Sequence, residues 1–305
     1  MEKRSTLYAL LIFGGLLALC FTFAIVLFRS LGAADEAASG WSFNNPDGPK
    51  VGVVEINGVI TESKDALGQL VQFRRDPSIK AIVVRINSPG GAVAPSQELF
   101  HALERARRDK KVVVSMGTLC ASGGFYIAVG ADRIVASPGT ITGSIGVVSQ
   151  FPDVSGLLDL LRIRATTVKS GALKDVGSPI RPMTQGELEF FQGFSNRIYE
   201  QFLTDVSTAR KVPKEELRKI ADGRVLSGQE ALEAKLIDQI GNFEDALETA
   251  VKLAGAPGDP VPVFAKKRES LVRELLHEGT EGAAQAIKHE FSPSGSVELR
   301  DTRLQ

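Results

Sequence analysis

The chain has 305 residues, enough to bury a sizeable hydrophobic core in one large or two small domains. Lysine plus arginine and aspartate plus glutamate each number 36, so the formal net charge is zero. A balanced charge argues against a nucleic-acid-binding protein, which usually carries a basic excess. The two cysteines, Cys20 and Cys120, offer neither a disulfide framework nor zinc-ligand spacing. We expect no metal and no other cofactor.

An apolar segment lies near the N-terminus. Residues 7–28 contain no charge, and as a helix of about 33 Å they are long enough to cross a lipid bilayer. Lys3 and Arg4 precede the segment, so the positive-inside rule keeps the N-terminus in the cytoplasm and puts the rest of the chain outside it. The alternative is a cleaved signal peptide, because small residues follow at 32–34. Since the apolar region of a signal peptide is only about 7–15 residues long, we favour an uncleaved anchor.

The composition divides the chain into four parts. Residues 1–30 form the N-terminus and anchor, and residues 31–50, rich in Gly, Ala, Asn and Pro, read as a linker. Residues 51–254 form the globular domain. Residues 255–305 are first Pro-rich and then charged and polar, and we expect this segment to be peripheral.

Within the globular domain, apolar strands alternate with amphipathic helices. In chain order the pattern predicts strand 51–56, helix 65–75, strand 80–86, helix 95–108, strand 112–115, a short helix after residue 122, strand 133–136, helix 156–162, strand 165–168, and helices 184–210, 213–221, 228–234 and 244–253. Continuous apolar strands such as 80–86 are typical of a buried parallel sheet. The order of elements therefore indicates an α/β fold with a largely parallel sheet.

Ser122 lies at a sharp turn between a predicted strand and a short helix. Small residues flank it in the run Cys120-Ala121-Ser122-Gly123-Gly124. A hydroxyl exposed at such a turn, with backbone N–H groups beside it, has the geometry of a nucleophile that attacks an acyl carbon. The alternative is that Ser122 only caps the helix, as serines at helix starts usually do.

A serine nucleophile needs a base, and histidine is scarce in this chain. His277 and His289 lie in the C-terminal segment, and His101 lies in a charged helical stretch where a surface role is expected. A lysine can act as the base when burial disfavours its charged form. Lys174 is the best candidate because it lies in a glycine-flanked loop rather than on a charged helix face, and Lys169 is the next.

A second glycine-rich turn ends the predicted strand 80–86. It reads Asn87-Ser88-Pro89-Gly90-Gly91. Adjacent glycines allow the backbone to approach a ligand closely and to offer N–H donors. Together with Gly123 the turn would form a two-sided oxyanion hole. The alternative is an ordinary tight turn.

Four motifs in a fixed order carry a resemblance to a known family. They are NSPGG after a strand, CASGGFYIA, ITGSIGV, and KSGALKD with a following Ser-Pro. With them the chain, from about residue 51 to 241, resembles the signal peptide peptidase A family of membrane-anchored Ser-Lys peptidases. The resemblance implies a Clp protease/crotonase-like fold of stacked βαβ units. Phe125 stands where the family usually has tyrosine, and Clp protease's histidine has no counterpart near Ser144.

The resemblance also implies roles for individual residues. Ser122 would be the nucleophile, Lys174 the general base, and Ser144 the residue that orients the lysine. The backbone N–H groups of Gly123 and of Gly91 (or Gly90) would bind the oxyanion. Apolar residues near these motifs are expected to contact the substrate: Leu119, Phe125, Ile141 and Ile145.

The predicted protein is a single-pass serine endopeptidase of the bacterial inner membrane. Its catalytic domain lies on the extracytoplasmic side, where it degrades signal-peptide remnants and similar short apolar peptides. In the tandem form of the family the lysine and the serine come from different halves. A single-unit chain would then complete its dyad between protomers of a homo-oligomeric ring. The rival interpretations are a crotonase-like acyl-CoA enzyme and a catalytically silent membrane scaffold.

Overall fold

A computed structural model of the chain describes residues 47–265. The predicted anchor at 7–28, most of the linker and the tail after residue 265 lie outside the described residues. Between residues 47 and 265, no helix combines the length and the apolar character needed to span a bilayer.

One eight-stranded sheet forms the centre of the described domain. Its strands are β1 (Lys50–Asn57), β2 (Ile79–Ser88), β3 (Lys111–Ala121), β4 (Arg133–Ala136), β5 (Ile141–Gly143), β6 (Val225–Ser227), β7 (Gln239–Ile240) and β8 (Val261–Phe264). The order is β6-β5-β3-β2-β1-β8, with β4 between β3 and β7. Every pair is parallel except β5 with β6. This confirms the predicted α/β class and its largely parallel sheet.

Helices cover both faces of the sheet. They are α1 (Lys64–Arg75), α2 (Val93–Asp109), α3 (Gly123–Ala128), α4 (Ser155–Leu160), α5 (Gln185–Arg210), α6 (Lys214–Arg218), α7 (Gly228–Glu233) and α8 (Phe243–Leu253). Alternate strand residues point to opposite faces. Val51 and Val53 therefore pack with α8, whereas Val54 and Ile56 join the larger core that includes α1, α2 and α3. At Gly52 a Cβ would lie 2.5 Å from the Phe73 ring, so glycine lets α1 pack closely on β1.

The structure differs from the prediction at short or unpaired elements. Residues 165–168 form no strand and are exposed, because their β-branched side chains have no neighbouring strand to pair with. β3 continues to Ala121, past the predicted end at 115, and so carries the chain directly to Ser122. The strands β5 to β8 were not predicted, because each has only two to four residues. β8 pairs with β1, so the sheet extends beyond residue 254.

Candidate active site

The candidate site lies where three neighbouring strands of the sheet end. β2 leads to Gly90, β3 to Ser122 and β5 to Ser144. The register pairs Ser88 with Cys120 and Ala121 with Gly143, which brings the three strand ends side by side. Ligands of open α/β sheets bind at this carboxyl edge of the strands. Three of the four motifs identified in the sequence, those that contain Gly90, Ser122 and Ser144, therefore meet at the edge where the fold favours a binding site.

Ser122 has a strained backbone and a half-buried side chain. Its φ of 53° and ψ of −119° lie in a region that L residues rarely adopt. Such strain costs about 1–3 kcal/mol and is concentrated at functional sites. Ser122 precedes α3, but its side chain makes no capping hydrogen bond. The interpretation that the Ser122 side chain caps the helix is therefore wrong, and Ser122 instead lines a cavity.

Two glycine N–H groups flank the serine. A Cβ at Gly123 would lie 3.3 Å from the Gly91 nitrogen, so these two backbone segments are adjacent. The parallel bridge between Ile60 and Gly91 uses the N–H groups of Ile60 and Ala92. The Gly91 N–H takes no part in that bridge. Together with the N–H of Gly123, at the first position of α3, it provides a pair of donors next to Ser122, as an oxyanion hole requires.

Ser122 opens into a cavity of about 430 Å³. Its lining combines the glycine backbone, three serines and a mainly apolar wall: Gly91, Val93, Ser96, Ser122, Gly123, Tyr126, Ser144, Gly146, Val147, Val148, Ile198, Phe202, Asp222 and Gly223. A larger surface depression of about 590 Å³ beside α8 is lined by no serine, cysteine or histidine. Of these two cavities, only the one at Ser122 therefore places a serine beside the backbone N–H groups of Gly91 and Gly123.

Ser144 lines the same cavity as Ser122. It also has a positive φ, 51°, and its N–H donates to the Arg224 carbonyl at 2.8 Å. The loop that provides this carbonyl also brings Asp222 into the lining. The Arg224 guanidinium donates to the Asp222 carboxylate and holds its pKa well below the usual range. The only carboxylate of the lining is therefore already paired with a cation.

Tyr126 connects the serine helix to the long helix α5. Its backbone N–H donates to the Ser122 carbonyl at 2.9 Å. Its ring stacks on Phe202 with centroids 4.3 Å apart, and its hydroxyl donates to Asp205. Burial, together with the hydrogen bond to Asp205, raises the pKa of Tyr126, so the phenol stays protonated. These contacts make α5 one wall of the site.

Lys174 lies in an exposed turn and is not among the residues that line the cavity. Within one chain, the described structure therefore does not bring Lys174 to Ser122. The predicted surface role of His101 is confirmed, because its side chain is exposed on α2 and pairs with Glu104 at 3.0 Å. Cys120 lies two residues from Ser122, but complete burial raises its pKa and keeps the thiol protonated. In the region that the structure describes, no group of three His, Cys, Asp or Glu side chains could hold a metal ion.

The apolar residues predicted to contact substrate lie outside the cavity lining. Phe125 and Ile145 belong to the core, with exposed fractions of 0% and 1%. Leu119 and Ile141 pair with each other across β3 and β5. The lining is instead provided by residues that sequence reasoning missed, among them Tyr126 and Asp222. The apolar periodicity of α5, which includes Ile198 and Phe202, was the available signal for that wall. No sequence pattern pointed to Asp222.

Comparison with known proteins places the chain in a family. The family model of peptidase family S49 matches residues 104–256, and that of Clp protease matches residues 53–140. The Synechocystis protein slr0021 is 37% identical over 77% of this chain and 86% of its own length. A relative from Enterococcus faecium, whose name includes signal peptide peptidase SppA, is 34% identical over 67% of this chain and 63% of its own.

Protease 4 of Salmonella typhi is 37% identical over 68% of this chain. The match spans only 35% of that protein, so the chain corresponds to about a third of it. These similarities confirm the resemblance that the four motifs indicated. The chain belongs to peptidase family S49.

Proposed function

We propose that the protein is a serine endopeptidase in which Ser122 is the nucleophile and Lys174 is the general base. The observation that carries this proposal is the geometry at Ser122. A strained serine lines a cavity, its side chain makes no capping bond, and the N–H groups of Gly91 and Gly123 lie beside it. Membership of a peptidase family supports the same chemistry.

The proposed reaction has two halves. The neutral lysine accepts the proton of the Ser122 hydroxyl while its oxygen attacks the peptide carbonyl, and the two glycine N–H groups bind the resulting oxyanion. The lysine then donates that proton to the amine of the leaving peptide as the C–N bond breaks. Water, deprotonated by the same lysine, then attacks the acyl carbon. As the bond between the acyl carbon and the Ser122 oxygen breaks, the lysine returns the proton to that oxygen and the hydroxyl of Ser122 is regenerated.

The contacts of the two candidate lysines favour Lys174 over Lys169. The Lys169 ammonium donates to the Asp175 carboxylate at 2.5 Å and to the Ala172 carbonyl at 2.9 Å. These contacts hold the Lys169 side chain within its own turn. Among the hydrogen bonds and ion pairs of residues 47–265, none involves the Lys174 side chain. Lys174 is therefore the lysine that is free to act on a partner.

We further propose that Lys174 completes the site of a neighbouring protomer in a homo-oligomeric ring. The turn that carries Lys174 is attached near Glu187, at the start of α5. Ile198, the cavity residue of α5 nearest to Glu187, lies about 16 Å further along this helix. A lysine side chain is much shorter than that, so reaching Ser122 of a second copy is the simpler arrangement.

Exposed apolar side chains around Lys174 support an interface between copies. Between residues 148 and 194 they are Val148, Phe151, Val154, Leu157, Leu160, Leu161, Ile163, Val168, Leu173, Ile180, Leu188, Phe190 and Phe194. A set of this size on one segment supports a contact surface between copies. A head-to-tail contact through this segment closes into a ring when the rotation allows it.

The chemistry of the cavity supports short apolar peptides as substrates. Most of its side-chain lining is apolar, and Asp222 is paired with Arg224. Signal-peptide remnants fit this description, and the name of the Enterococcus relative points to the same substrates. The predicted anchor at residues 7–28 would hold the domain at the inner membrane on the extracytoplasmic side, where such remnants arise.

Labelling with a fluorophosphonate tests the nucleophile. A serine peptidase is labelled at Ser122, and the Ser122→Ala variant is not. An acyl-CoA enzyme or a silent scaffold would leave the wild type unlabelled, which would overturn the proposal.

Mixing two inactive variants tests the shared dyad. Ser122→Ala and Lys174→Ala protein are dissociated, combined and reassembled. About a quarter of wild-type activity should return by random assortment if protomers exchange freely around a ring. An oligomer shown to be mixed but still inactive would mean that each chain carries its own complete site.

A further inference from the structure

We propose that Arg181 is a positioning residue for Lys174, and that it fixes the lysine turn to the N-terminal end of α5. The inference rests on the proposed function of Lys174 as the general base. Arg181 carries no role in the motifs identified from the sequence, and it does not line the cavity at Ser122.

The turn around Lys174 has little structure of its own. It belongs to neither a helix nor a strand, and no residue between 169 and 178 is fully buried. Its backbone is held by short local bonds, such as that from the Lys174 N–H to the Gly171 carbonyl at 3.1 Å. Bonds of this kind do not fix a turn relative to the rest of the domain. Something else must set the direction in which Lys174 projects.

Asp175, the next residue, provides the attachment. Its side chain is only 12% exposed. Its carboxylate accepts hydrogen bonds from Lys169 at 2.5 Å and from the Arg181 Nε at 2.9 Å. A second guanidinium nitrogen of Arg181 donates to the Asp175 backbone carbonyl at 3.3 Å. Arg181 therefore holds both the side chain and the backbone of the residue adjacent to Lys174.

The same guanidinium binds the start of α5. Its two terminal nitrogens donate to the two carboxylate oxygens of Glu187, at 2.9 and 2.5 Å. Glu187 is 6% exposed, and it accepts the Thr184 N–H at 2.9 Å as part of the capping box of α5. Through Arg181, the lysine turn and the helix cap become one hydrogen-bonded unit.

Only arginine can make this connection. Its planar fork grips Glu187 in a bidentate pair and still presents Nε to Asp175, whereas lysine would provide a single point of charge. The other end of α5 packs against the serine helix through Phe202 and Tyr126. Contacts through Arg181 and α5 thus connect the turn that carries Lys174 to the wall of the cavity in the same protomer. Since an error of about 1 Å in a catalytic group can cost about 10²-fold in rate, a fixed turn matters for the reaction.

Steady-state kinetics of Arg181 variants test the proposal. Arg181→Met keeps the aliphatic stem and removes every ion pair. We expect kcat to fall about 10- to 100-fold with little change in KM, because Arg181 does not line the cavity that would bind substrate. Arg181→Lys restores charge without the fork and should recover only part of the loss. The matched control is Arg218→Met, which removes the exposed pair between Arg218 and Glu200 of α5 and should leave kcat unchanged.

Mixed oligomers separate positioning of the lysine from a general structural role. Arg181→Met is added either to the Ser122→Ala chain, which supplies the lysine, or to the Lys174→Ala chain, which supplies the serine. If Arg181 positions Lys174, the substitution lowers the recovered activity only in the first mixture. Equal losses in both mixtures would overturn the proposal and assign Arg181 to folding or assembly alone.

Different outcomes separate a wrong assignment of the base from a wrong role for Arg181. If Lys174→Ala protein stays active, the base has been assigned wrongly. If the unmodified mixture stays inactive, the dyad is not shared, and the uniform Arg181→Met variant still decides. A folded Arg181→Met enzyme with a kcat equal to wild type, beside an inactive Lys174→Ala enzyme, would disprove the positioning role itself.

Discussion

Gly90 lies directly against Ser122. A Cβ at position 90 would be 2.8 Å from the Ser122 Cβ and 2.6 Å from the Gly123 nitrogen, and the φ of Gly90 is +98°. A real Cβ atom essentially never lies this close to a non-bonded atom, and an L residue is strained at that φ. The turn after β2 therefore needs glycine at position 90 to pack against Ser122 and to bring the Gly91 N–H beside Gly123.

We predict that Gly90→Ala lowers kcat by about 10²–10³-fold, the usual cost of losing an oxyanion donor. The methyl group must displace Gly123 or Ser122, which disturbs the donors and the nucleophile together. The matched control is Gly68→Ala in the helix α1, where a Cβ meets nothing within 4 Å. That variant should keep full activity. Equal activity of the two variants in a peptide-cleavage assay would refute the role of the Gly90 turn.

The second prediction concerns pH and the identity of the base. Because only neutral lysine accepts a proton, the rate should rise with pH on an alkaline limb, and Lys174→Ala should lower it by about 10²–10⁴-fold. Lys169→Ala should keep the alkaline limb of the pH–rate profile, since the Lys169 side chain is paired with the Asp175 carboxylate.

The pH–rate profile of kcat/KM for the three proteins provides the measurement. A rise in rate centred near about pH 6.5 that disappears in His101→Ala protein would instead identify a histidine as the base. The exposed position of His101 on α2 argues against that outcome.

The third prediction concerns substrate preference. Ile198 lines the cavity, and Ile141 does not. Ile198→Ala should enlarge the cavity and shift cleavage towards bulkier apolar residues, as measured with a peptide library. Ile141→Ala should leave the preference unchanged. The opposite result would support the substrate contacts expected from the motifs over those of the cavity wall. Strong preference for Arg or Lys at the cut would contradict an apolar site altogether.

The fourth prediction follows from the contact between Glu187 and Arg181. Hydrogen bonds from Arg181 lower the pKa of Glu187 to about 2, whereas a free glutamate titrates near about 4.3. A lowered carboxylate pKa stabilises the fold above the unfolded value, and this contribution is lost as pH falls from about 4.3 towards about 2.

Urea unfolding of wild type and Glu187→Gln at fixed protein concentration measures this contribution. The stability difference between the two proteins should be constant above about pH 5 and should narrow at lower pH. A difference that does not change between pH 6 and pH 3 would mean that the pair does not stabilise the fold.

Local sequence determined the main elements and the chemical core of the site. The long helix α5 and the strands β1 and β2 follow the predicted periodicities closely, because burial imposes a pattern on their own residues. The turns at Gly90 and Ser122 were also predicted, since glycines and a small-flanked serine at strand ends mark backbone conformations that few other residues allow. The peptidase family followed from the same motifs.

The tertiary structure decided what depends on distant partners. The short strand β6 exists because β5 pairs with it, whereas the β-branched residues 165–168 have no such neighbour. Tyr126, Phe202 and Asp222 meet in one cavity although many residues separate them along the chain. No local pattern encodes such a meeting, because it results from packing.

For Lys174, local sequence identified the residue and the tertiary structure decided where it lies. Its motif singled it out, but only the tertiary structure shows that the turn carrying it is attached to the start of α5 through the contacts of Arg181 with Asp175 and Glu187. Spacing along the chain permits pairing within one protomer. The lysine segment is attached at Glu187, whereas the α5 residues that line the cavity lie several helical turns further along. Because a hydrogen-bonded helix does not fold back on itself, α5 holds the two apart.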